Sequence, residues 1–317
     1  MTIKFGVSPI AWTNDDMPEL GADTSVETIL ADAHAMGFEG VELGGKFPRD
    51  PATLGPLLAR HRLDLVGGWY SLRLLERSAE HEIAALAPHL ALLTALGAPV
   101  FIAAETSNAI HGDRARQLAD APRLPTERWS EFGARLAAVA AHVAAQGLKF
   151  AYHFHLGTVV ERQDDVERFI AATPDQVGFV VDTGHAALGG VEAQALIRAH
   201  PSRIAHVHAK DVRRRVFDDV RRGSRSFLDG VVAGMFTAPG DGDLGFAPVM
   251  RALAAIRYAG WIVIEAEQDP AVADPVTYSR VGLQTLKREA ASAGLIGERG
   301  RHSFALPRES GDPGVLS

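Results

Sequence analysis

Apolar residues occur along the chain in eight short runs, and most runs are followed by a stretch with the spacing of an amphipathic helix. The runs contain few polar residues, as is typical of parallel strands covered by helices. Several helical stretches end on a glycine before the next run, and Gly37 and Gly147 have the position of a helix C-cap. The runs occupy residues 3–8, 40–43, 63–68, 99–105, 148–155, 177–185, 203–211 and 261–267.

Eight strand–helix units in one chain predict a closed (β/α)₈ barrel, an α/β fold, rather than an open sheet. No glycine-rich phosphate-binding motif follows any of the strands, which argues against a nucleotide-binding fold. We therefore predict one catalytic barrel domain over residues 1–293 and a flexible tail over residues 294–317, which lack apolar periodicity. The long connection over residues 211–245 interrupts the pattern, and its length is typical of a lid or a binding loop.

Composition narrows the classes of function. The chain has 317 residues, of which 47% are hydrophobic and 22% are charged, and its net charge of −7 argues against nucleic acid as a partner. The absence of cysteine excludes disulfides, thiolate metal sites and cysteine nucleophiles. No apolar run reaches the ~20 residues of a membrane span, and the first residues form a strand pattern rather than a signal peptide. We expect a cytoplasmic protein without membrane partners, and the sequence is compatible with a homo-oligomer.

Polar side chains are concentrated at the ends of the last four strands, where the active site of an α/β barrel lies. The first histidine or acid after the apolar run is His153 in the fifth strand, Asp182 in the sixth and Glu265 in the eighth. In the seventh strand His206 interrupts the run early, so His208 is the better candidate. Alternation along a strand places His153 and His155 on the same side, so His155 stays an alternative to His153.

Such a cluster of inward-pointing imidazoles and carboxylates predicts a divalent metal site. Isolated buried charges are costly, and clusters of them usually pair internally or coordinate a metal. A lone histidine at a strand end is more often a structural residue, but four candidates on successive strands reverse that balance. Nitrogen and oxygen ligands without thiolate suit Mn²⁺, Co²⁺, Mg²⁺ or Zn²⁺. The predicted ligands are His153, Asp182, His208 and Glu265.

Other strand ends contribute weaker candidates. Glu42 and Glu105 follow the second and fourth strands, and each is as well explained by a structural role as by a place in the site. Trp69 is expected either to stack on a ligand or to pack in the core. Asp243 is expected to N-cap the helix that follows it rather than to bind metal. Lys46 and Tyr70 also lie just beyond strands.

At these strand ends the sequence resembles the xylose-isomerase-like barrel superfamily, and within it most closely the inosose dehydratase family. The resemblance covers roughly residues 3–290. It implies a metal held by residues of strands five to eight, where the superfamily typically has Glu, Asp, His and Glu, so that His153 stands in place of the first Glu. The motifs that carry it are residues 10–16, 40–45, 152–158, 181–185, 207–214, 234–237, 240–243 and 265–270.

The resemblance implies loss of water from 2-keto-myo-inositol, a cyclic polyol ketone, to give a trihydroxycyclohexane-1,2-dione. It also implies Mn²⁺ or Co²⁺ as the metal, and glutathione as a further cofactor on the resemblance alone. In this chemistry the metal acts as a Lewis acid, a base removes the proton beside the carbonyl, and an acid assists the departing hydroxyl. Glu267, His155 and His185 are the candidates for these proton transfers, without a division of roles, and Lys210 is expected to hold a substrate oxygen.

Three other functions remain open from the sequence. A metal-dependent keto-sugar isomerase or epimerase would use the same metal without a leaving group. A metal-dependent endonuclease of the same superfamily would need more ligands and a basic surface, which the net charge disfavours. A non-catalytic sugar-binding barrel would not need the whole ligand set. Arg213 and Arg214, in the long connection, are expected either to close over a substrate or to be solvated.

Overall fold

A computed structural model describes residues 2–297. Within them, eight parallel strands form a closed barrel in which strands that follow one another in the chain are neighbours. This confirms the predicted (β/α)₈ fold. The barrel strands are β1 (Lys4–Val7), β2 (Gly40–Leu43), β3 (Asp64–Leu72), β4 (Val100–Glu105), β5 (Lys149–His153), β6 (Gly178–Asp182) and β7 (Ile204–Ala209), and then, beyond the short strands β8 (Asp211–Val212) and β9 (Phe236–Thr237), β10 (Trp261–Ile264).

Helices surround the barrel, and their ends carry the expected capping residues. Gly37 and Gly147 have φ values of +83° and +86°, the left-handed conformation predicted for them. None of the helices in the described part of the chain is long and apolar enough to cross a membrane. The helices are α1 (Val26–Met36), α2 (Pro51–Arg60), α3 (Ala79–Ala95), α4 (Trp129–Ala145), α5 (Gln163–Ala172), α6 (Thr183–Gly189), α7 (Ala193–Ala199), α8 (Arg214–Arg222), α9 (Phe227–Val232), α10 (Ala247–Ala255) and α11 (Pro275–Ser292).

Alternation along the strands divides the core into an outer layer under the helices and a smaller interior cluster. On β5, for example, Phe150 belongs to the outer layer, whereas Ala151 packs with Val180 in the interior. A position two residues further along each strand faces the same way. The interior register of β5 and β6 therefore leads directly to His153 and Asp182 at the mouth of the barrel.

The long connection over residues 211–245 is a folded insert rather than an open loop. It contains β8, α8, α9 and β9, and its apolar residues, with Phe227 and Phe236 among the buried ones, form a cluster separate from the main core together with Met17, Leu118, Leu156 and Leu188. The carboxylate of Asp211 accepts hydrogen bonds from the backbone N–H groups of Val212, Gly240, Gly242 and Leu244, at 2.8 to 3.1 Å. This single buried side chain therefore fastens the end of the insert to its beginning.

The prediction that Asp243 caps the helix that follows it is wrong, because Asp243 caps the preceding helix, α8. Its Oδ2 accepts a hydrogen bond from the backbone N–H of Arg214, at 2.7 Å, at the start of α8. The following helix, α10, has Phe246 at its N-cap and no side-chain cap. The insert folds back on itself, so the nearest unsatisfied helix end in space belongs to the preceding helix.

The chain continues beyond α11 for a few described residues. Leu295 and Ile296 are half-buried against the main core. The rest of the predicted tail, residues 298–317, lies outside the described residues, so the boundary at residue 294 stays a prediction.

Candidate metal centre

Four side chains from consecutive barrel strands converge at the mouth of the barrel. His153 ends β5, Asp182 ends β6, His208 is the last residue but one of β7, and Glu265 directly follows β10. One ligand atom from each lies within 4.8 Å of the others. The structure thus brings together all four residues that the sequence suggests as ligands.

Within this cluster the two histidines contact each other, with His153 Nε2 3.2 Å from His208 Nδ1, whereas one oxygen of each carboxylate has no aligned hydrogen-bond donor in the described part of the chain. His208 Nδ1 lies 3.0 Å from Glu265 Oε2 and 3.6 Å from Asp182 Oδ2. His153 Nε2 lies 3.4 Å from the same Asp182 oxygen. Asp182 Oδ2 and Glu265 Oε2 are buried, and no donor among the described residues is aligned to hydrogen-bond to them. Because unpaired buried carboxylate oxygens are costly, a divalent cation between them fits this donor set of two imidazoles and two carboxylates.

The cap of a helix fixes the orientation of Asp182. Its Oδ1 accepts hydrogen bonds from the backbone N–H groups of Gly184 and His185, both at 2.8 Å, at the start of α6. Because Oδ1 is held by the helix, Oδ2 points into the cluster. The same residue is therefore both an N-cap and a candidate ligand.

Lys210 lies beside the cluster and balances part of its negative charge. Its Nζ is 3.1 Å from Glu265 Oε2, 3.5 Å from Glu267 Oε2 and 3.8 Å from Asp182 Oδ2. Burial alone would lower the pKa of Lys210, but these carboxylates raise it above its ordinary value. Burial likewise would raise the pKa of Asp182, but the charge of Lys210 and the histidine rings close to this carboxylate hold it well below its ordinary value.

The environment of His208 is strongly negative. Burial would lower its pKa, but Glu42 and Glu265 raise it well above the ordinary value. Burial would also raise the pKa of Glu42, which its contacts with His208 and His206 instead hold below its ordinary value. The charges that hold a proton on His208 would equally hold a divalent cation, which displaces protons from its ligands.

The structure separates His155 from His153. His155 Nδ1 lies 2.7 Å from the carbonyl oxygen of Leu156, which can only accept, so this nitrogen carries the hydrogen. Burial, with neighbouring histidines, lowers the pKa of His155 well below its ordinary value, so that the ring is neutral and Nε2 has a free lone pair. His155 therefore lies outside the ligand cluster and lines the cavity above it.

Both ring nitrogens of His185 have a close polar neighbour. The backbone N–H of Leu156 donates to Nδ1 at 3.1 Å, and Lys210 Nζ lies 3.1 Å from Nε2. Its ring is 3.9 Å from that of His155 between centroids. His185 and Lys210 thus lie one contact further from the cavity than His155 and Glu267.

A cavity of about 240 Å³ opens above the cluster. This volume is below the ~300–1,000 Å³ of pockets for drug-sized ligands, so the cavity suits a small molecule. Its walls combine aromatic rings with carboxylates and include Asp15, Asp16, Glu42, Trp69, His111, His155, His208, Glu265 and Glu267. A small polyol, with both a ring face and many hydroxyl groups, matches such a lining.

Glu267 is the carboxylate best placed to exchange a proton with a ligand of this cavity. Its Oε1 accepts a hydrogen bond from Asn14 Nδ2 at 3.3 Å, and its Oε2 lies 3.5 Å from Lys210 Nζ. Burial raises the pKa of Glu267 to about 7, against the opposing effect of Lys210. A carboxyl group with a pKa near neutrality can act as either an acid or a base.

Of the weaker sequence candidates, some line the cavity and others do not. Glu42 and Trp69 line the cavity. Glu105 does not, since it accepts hydrogen bonds from the backbone of Leu74 and Ser107 and ties loops together. Tyr70 packs on the opposite side of β3, against His89 and Phe101 rings.

The basic candidates serve loops rather than the cavity. The ammonium group of Lys46 donates to the carbonyl groups of residues 21, 22 and 24. The guanidinium group of Arg213 bonds to Gly234 and to Asp241 within the insert. Arg214 lines a separate depression beside α7 and α10.

Among the residues that the sequence candidates leave out, His111 lines the cavity and Asn14 contacts Glu267. Asn14 and His111 lie in loops after β1 and β4, where no periodic pattern singles them out. The His111 ring is 4.7 Å from that of His155 between centroids. Burial lowers the pKa of His111. For His111 the only signal in the sequence is its position after a barrel strand, whereas Asn14 also lies in the motif over residues 10–16 that carries the family resemblance.

Comparisons with known proteins agree with this fold and site. Residues 30–289 match the family model described as xylose isomerase-like TIM barrel, and the chain belongs to that family. It is 44% identical over 295 residues to the rhizopine catabolism protein MocC of Rhizobium meliloti, which covers 93% of this chain and 91% of that protein. It is 38% identical over 288 residues to the inosose dehydratase of Lactiplantibacillus plantarum, covering 90% of this chain and 96% of that protein. The resemblance to inosose dehydratases is thereby confirmed.

Solved structures with lower sequence identity share the fold. An L-ribulose 3-epimerase superimposes with a TM-score of 0.66 at 17% identity, covering 93% of this chain and 96% of that chain. The IolI protein, solved with a binding zinc atom, superimposes with a TM-score of 0.65 at 14% identity, covering 92% of this chain and 99% of that chain. Both have the barrel architecture described here.

Proposed function

We propose that this protein removes water from 2-keto-myo-inositol, giving a trihydroxycyclohexane-1,2-dione, as the enzymes named inosose dehydratase among its relatives imply. The observation that carries the proposal is the pair of buried carboxylate oxygens without an aligned hydrogen-bond donor among residues 2–297, Asp182 Oδ2 and Glu265 Oε2, in a cluster whose residues Glu265 and His208 line a small polar cavity. His153 and His208 complete the proposed ligand set. A metal bound there supplies a Lewis acid that stabilises negative charge on the carbonyl oxygen of the substrate.

The relatives named inosose dehydratase support a cyclic polyol ketone as the substrate, and the lining of the cavity supports it independently. Trp69 presents a ring edge to His153 and His155, with centroids 5.5 and 5.6 Å apart, so this wall is aromatic and rigid. The lining also includes the carboxylates of Asp16 and Glu267. Carboxylates accept hydrogen bonds from several hydroxyl groups at once, which suits a ring that bears a hydroxyl on almost every carbon.

We assign the base of the reaction to His155. Its Nδ1 is committed to the Leu156 carbonyl, so Nε2 is the nitrogen that receives a proton from the carbon beside the carbonyl group. The His185 ring packs against this ring and is itself held by a hydrogen bond from the backbone N–H of Leu156. General acid–base assistance of this kind contributes ~10²–10⁴-fold to a rate.

Glu267 is assigned as the acid. In its protonated form it donates a proton to the hydroxyl group on the next carbon, the carbon–oxygen bond breaks, and one molecule of water leaves. The enol that remains tautomerises to the 1,2-dione. Lys210, in contact with Glu265 and Glu267, holds these carboxylates and limits their mutual repulsion.

The proposal also includes the identity of the metal. Mn²⁺ and Co²⁺ are the metals we expect, by resemblance and because borderline cations suit mixed nitrogen and oxygen ligands. Glutathione stays a prediction of the resemblance alone, whereas a cytoplasmic location and a homo-oligomeric state stay predictions from the sequence.

The test is a product assay with protein freed of metal and then reloaded with Co²⁺ or Mn²⁺. With 2-keto-myo-inositol we expect a product lighter by one water, seen by mass spectrometry, and no product in the presence of chelator. A Glu267→Gln variant should bind metal but form little product. A product of unchanged mass would instead indicate a keto-sugar isomerase or epimerase.

A further inference from the structure

Glu42 reaches the proposed metal centre from across the barrel. It lies on β2, and two strands, β1 and β10, separate β2 from β7 around the barrel wall. Its Oε1 nevertheless lies 2.8 Å from Nε2 of His208 and 2.8 Å from Nε2 of His206. Glu42 is buried, as are both histidines, so neither contact is exchanged with solvent.

These contacts determine which nitrogen of His208 can bind a metal. An ionised carboxylate can only accept a hydrogen bond, so Nε2 of His208 carries the hydrogen. A neutral imidazole then has its lone pair on Nδ1. Nδ1 is the atom that faces Asp182 and Glu265. The hydrogen bond to Glu42 therefore selects the tautomer in which the lone pair points to the cluster.

His206 supports the same arrangement without reaching the cluster itself. Alternation on β7 places it on the same face as His208, two residues earlier. Its Nδ1 is buried and has no hydrogen-bond partner among the described residues. Its one polar contact is therefore the bond from Nε2 to Glu42, which holds the carboxylate in place.

A second metal ion between Glu42, His206 and His208 is the competing interpretation, since their ligand atoms also lie within 4.8 Å of one another. Two observations disfavour it. Both nitrogen–oxygen distances are those of good hydrogen bonds. His208 would also have to give up the hydrogens of both ring nitrogens to bind two ions.

We propose that Glu42 is a positioning residue of the metal centre, whose carboxylate fixes the tautomer and the ring orientation of His208. This inference rests on the proposed metal site. Carboxylates that accept a hydrogen bond from a metal-bound histidine typically account for about 10–100-fold in metal affinity or activity. Glu42 would thus act on the metal through His208 rather than by direct contact.

The test is a titration of metal-free protein with Co²⁺, followed by the visible absorption of the bound ion and by metal analysis. For Glu42→Ala we expect a Kd about 10–100-fold weaker than for the unchanged protein. Glu42→Gln keeps an acceptor oxygen and should fall in between. All forms should bind one equivalent. The matched control is Glu105→Gln, another buried strand-end carboxylate, which contacts only loops and should leave the Kd unchanged.

Three results would overturn the inference. The first is an unchanged Kd in Glu42→Ala, with circular dichroism showing that it is folded, or in Glu42→Gln if the alanine variant does not fold. The second is two equivalents of Co²⁺ in the unchanged protein and one in Glu42→Ala, which would make Glu42 a ligand. The third is no Co²⁺ binding at all, which would refute the metal site as well. Tight binding without turnover of 2-keto-myo-inositol would refute only the proposed reaction, and a weaker Kd in Glu42→Ala would then still support the inference.

Discussion

Asn14 donates a hydrogen bond from Nδ2 to Oε1 of Glu267, across 3.3 Å. The other end of the same amide, Oδ1, accepts hydrogen bonds from the backbone N–H groups of Asp16 and Met17. Turning the amide over would lose both backbone bonds, so its N–H group is held toward Glu267. The loop after the first strand thereby positions the proposed acid beyond the last strand.

This relationship predicts the effect of Asn14→Asp. The carboxylate can still accept from the loop backbone but cannot donate to Glu267. We expect kcat/KM to fall about 10–100-fold, as for loss of a hydrogen bond to a charged group worth ~1.5–3 kcal/mol. The Kd for Co²⁺ should not change. Steady-state kinetics on the dehydration would measure the effect, with the exposed residue Asn108→Asp as the control. Full activity in Asn14→Asp would show that Asn14 serves only its own loop.

His153, the last residue of β5, and His155, two residues further on, should have different roles, one in metal binding and the other in proton transfer. His153→Ala removes a proposed ligand, so we expect loss of tight Co²⁺ binding and of turnover. His155→Ala should bind Co²⁺ as the unchanged protein does, while kcat falls by ~10²–10⁴-fold because the base is missing. Metal titration and kinetics on both variants check this. Loss of metal by His155→Ala but not by His153→Ala would reverse the assignment.

Asp182→Asn separates the capping role of this residue from its proposed role as a ligand. The variant keeps Oδ1 as an acceptor for the start of α6, since Asn is as good an N-cap as Asp. It replaces Oδ2 with an amide nitrogen that cannot bind a cation. We expect a folded protein that does not bind Co²⁺ or turn over substrate. Asp274→Asn, at the N-cap of α11 and not part of the cavity lining, is the matched control. Retained metal binding in Asp182→Asn would contradict the proposed site.

Asp211→Ala should destabilise the protein through the insert. The substitution leaves several buried backbone N–H groups without their acceptor. Since each unsatisfied buried group costs ~1–3 kcal/mol and some will find water, we expect unfolding to become easier by about 2–4 kcal/mol. Denaturant unfolding would measure this. Asp218→Ala, an exposed position on α8, should change stability by less than ~0.5 kcal/mol. Equal stability of the two variants would contradict the role of Asp211.

The barrel and the candidate ligands could be predicted because both depend on local pattern. Apolar runs separated by amphipathic stretches identify parallel strands, and alternation along a strand fixes which side chains face inward. His153 and Asp182 follow from that register alone. The choice of His208 over His206 also came from its position on the strand.

Contacts between distant loops could not be predicted in this way. Asn14 and Glu267 are separated by 253 positions along the chain, and no periodicity connects them. For the same reason the sequence cannot decide whether Glu42 and Glu105 belong to the site or have structural roles. Both follow buried strands, and only the folded barrel shows which one faces the cavity. Asp243 caps a preceding helix because the insert folds back, which is a tertiary effect.

Proton NMR of the reaction in D₂O tests the central claim most directly. Co²⁺-loaded protein and 2-keto-myo-inositol should give a trihydroxycyclohexane-1,2-dione that carries deuterium on the carbon that lost its hydroxyl group, because the enol takes its proton from solvent. The metal-free protein should leave the substrate unchanged. An epimer that keeps every oxygen and carries deuterium beside the carbonyl would contradict the proposed dehydration.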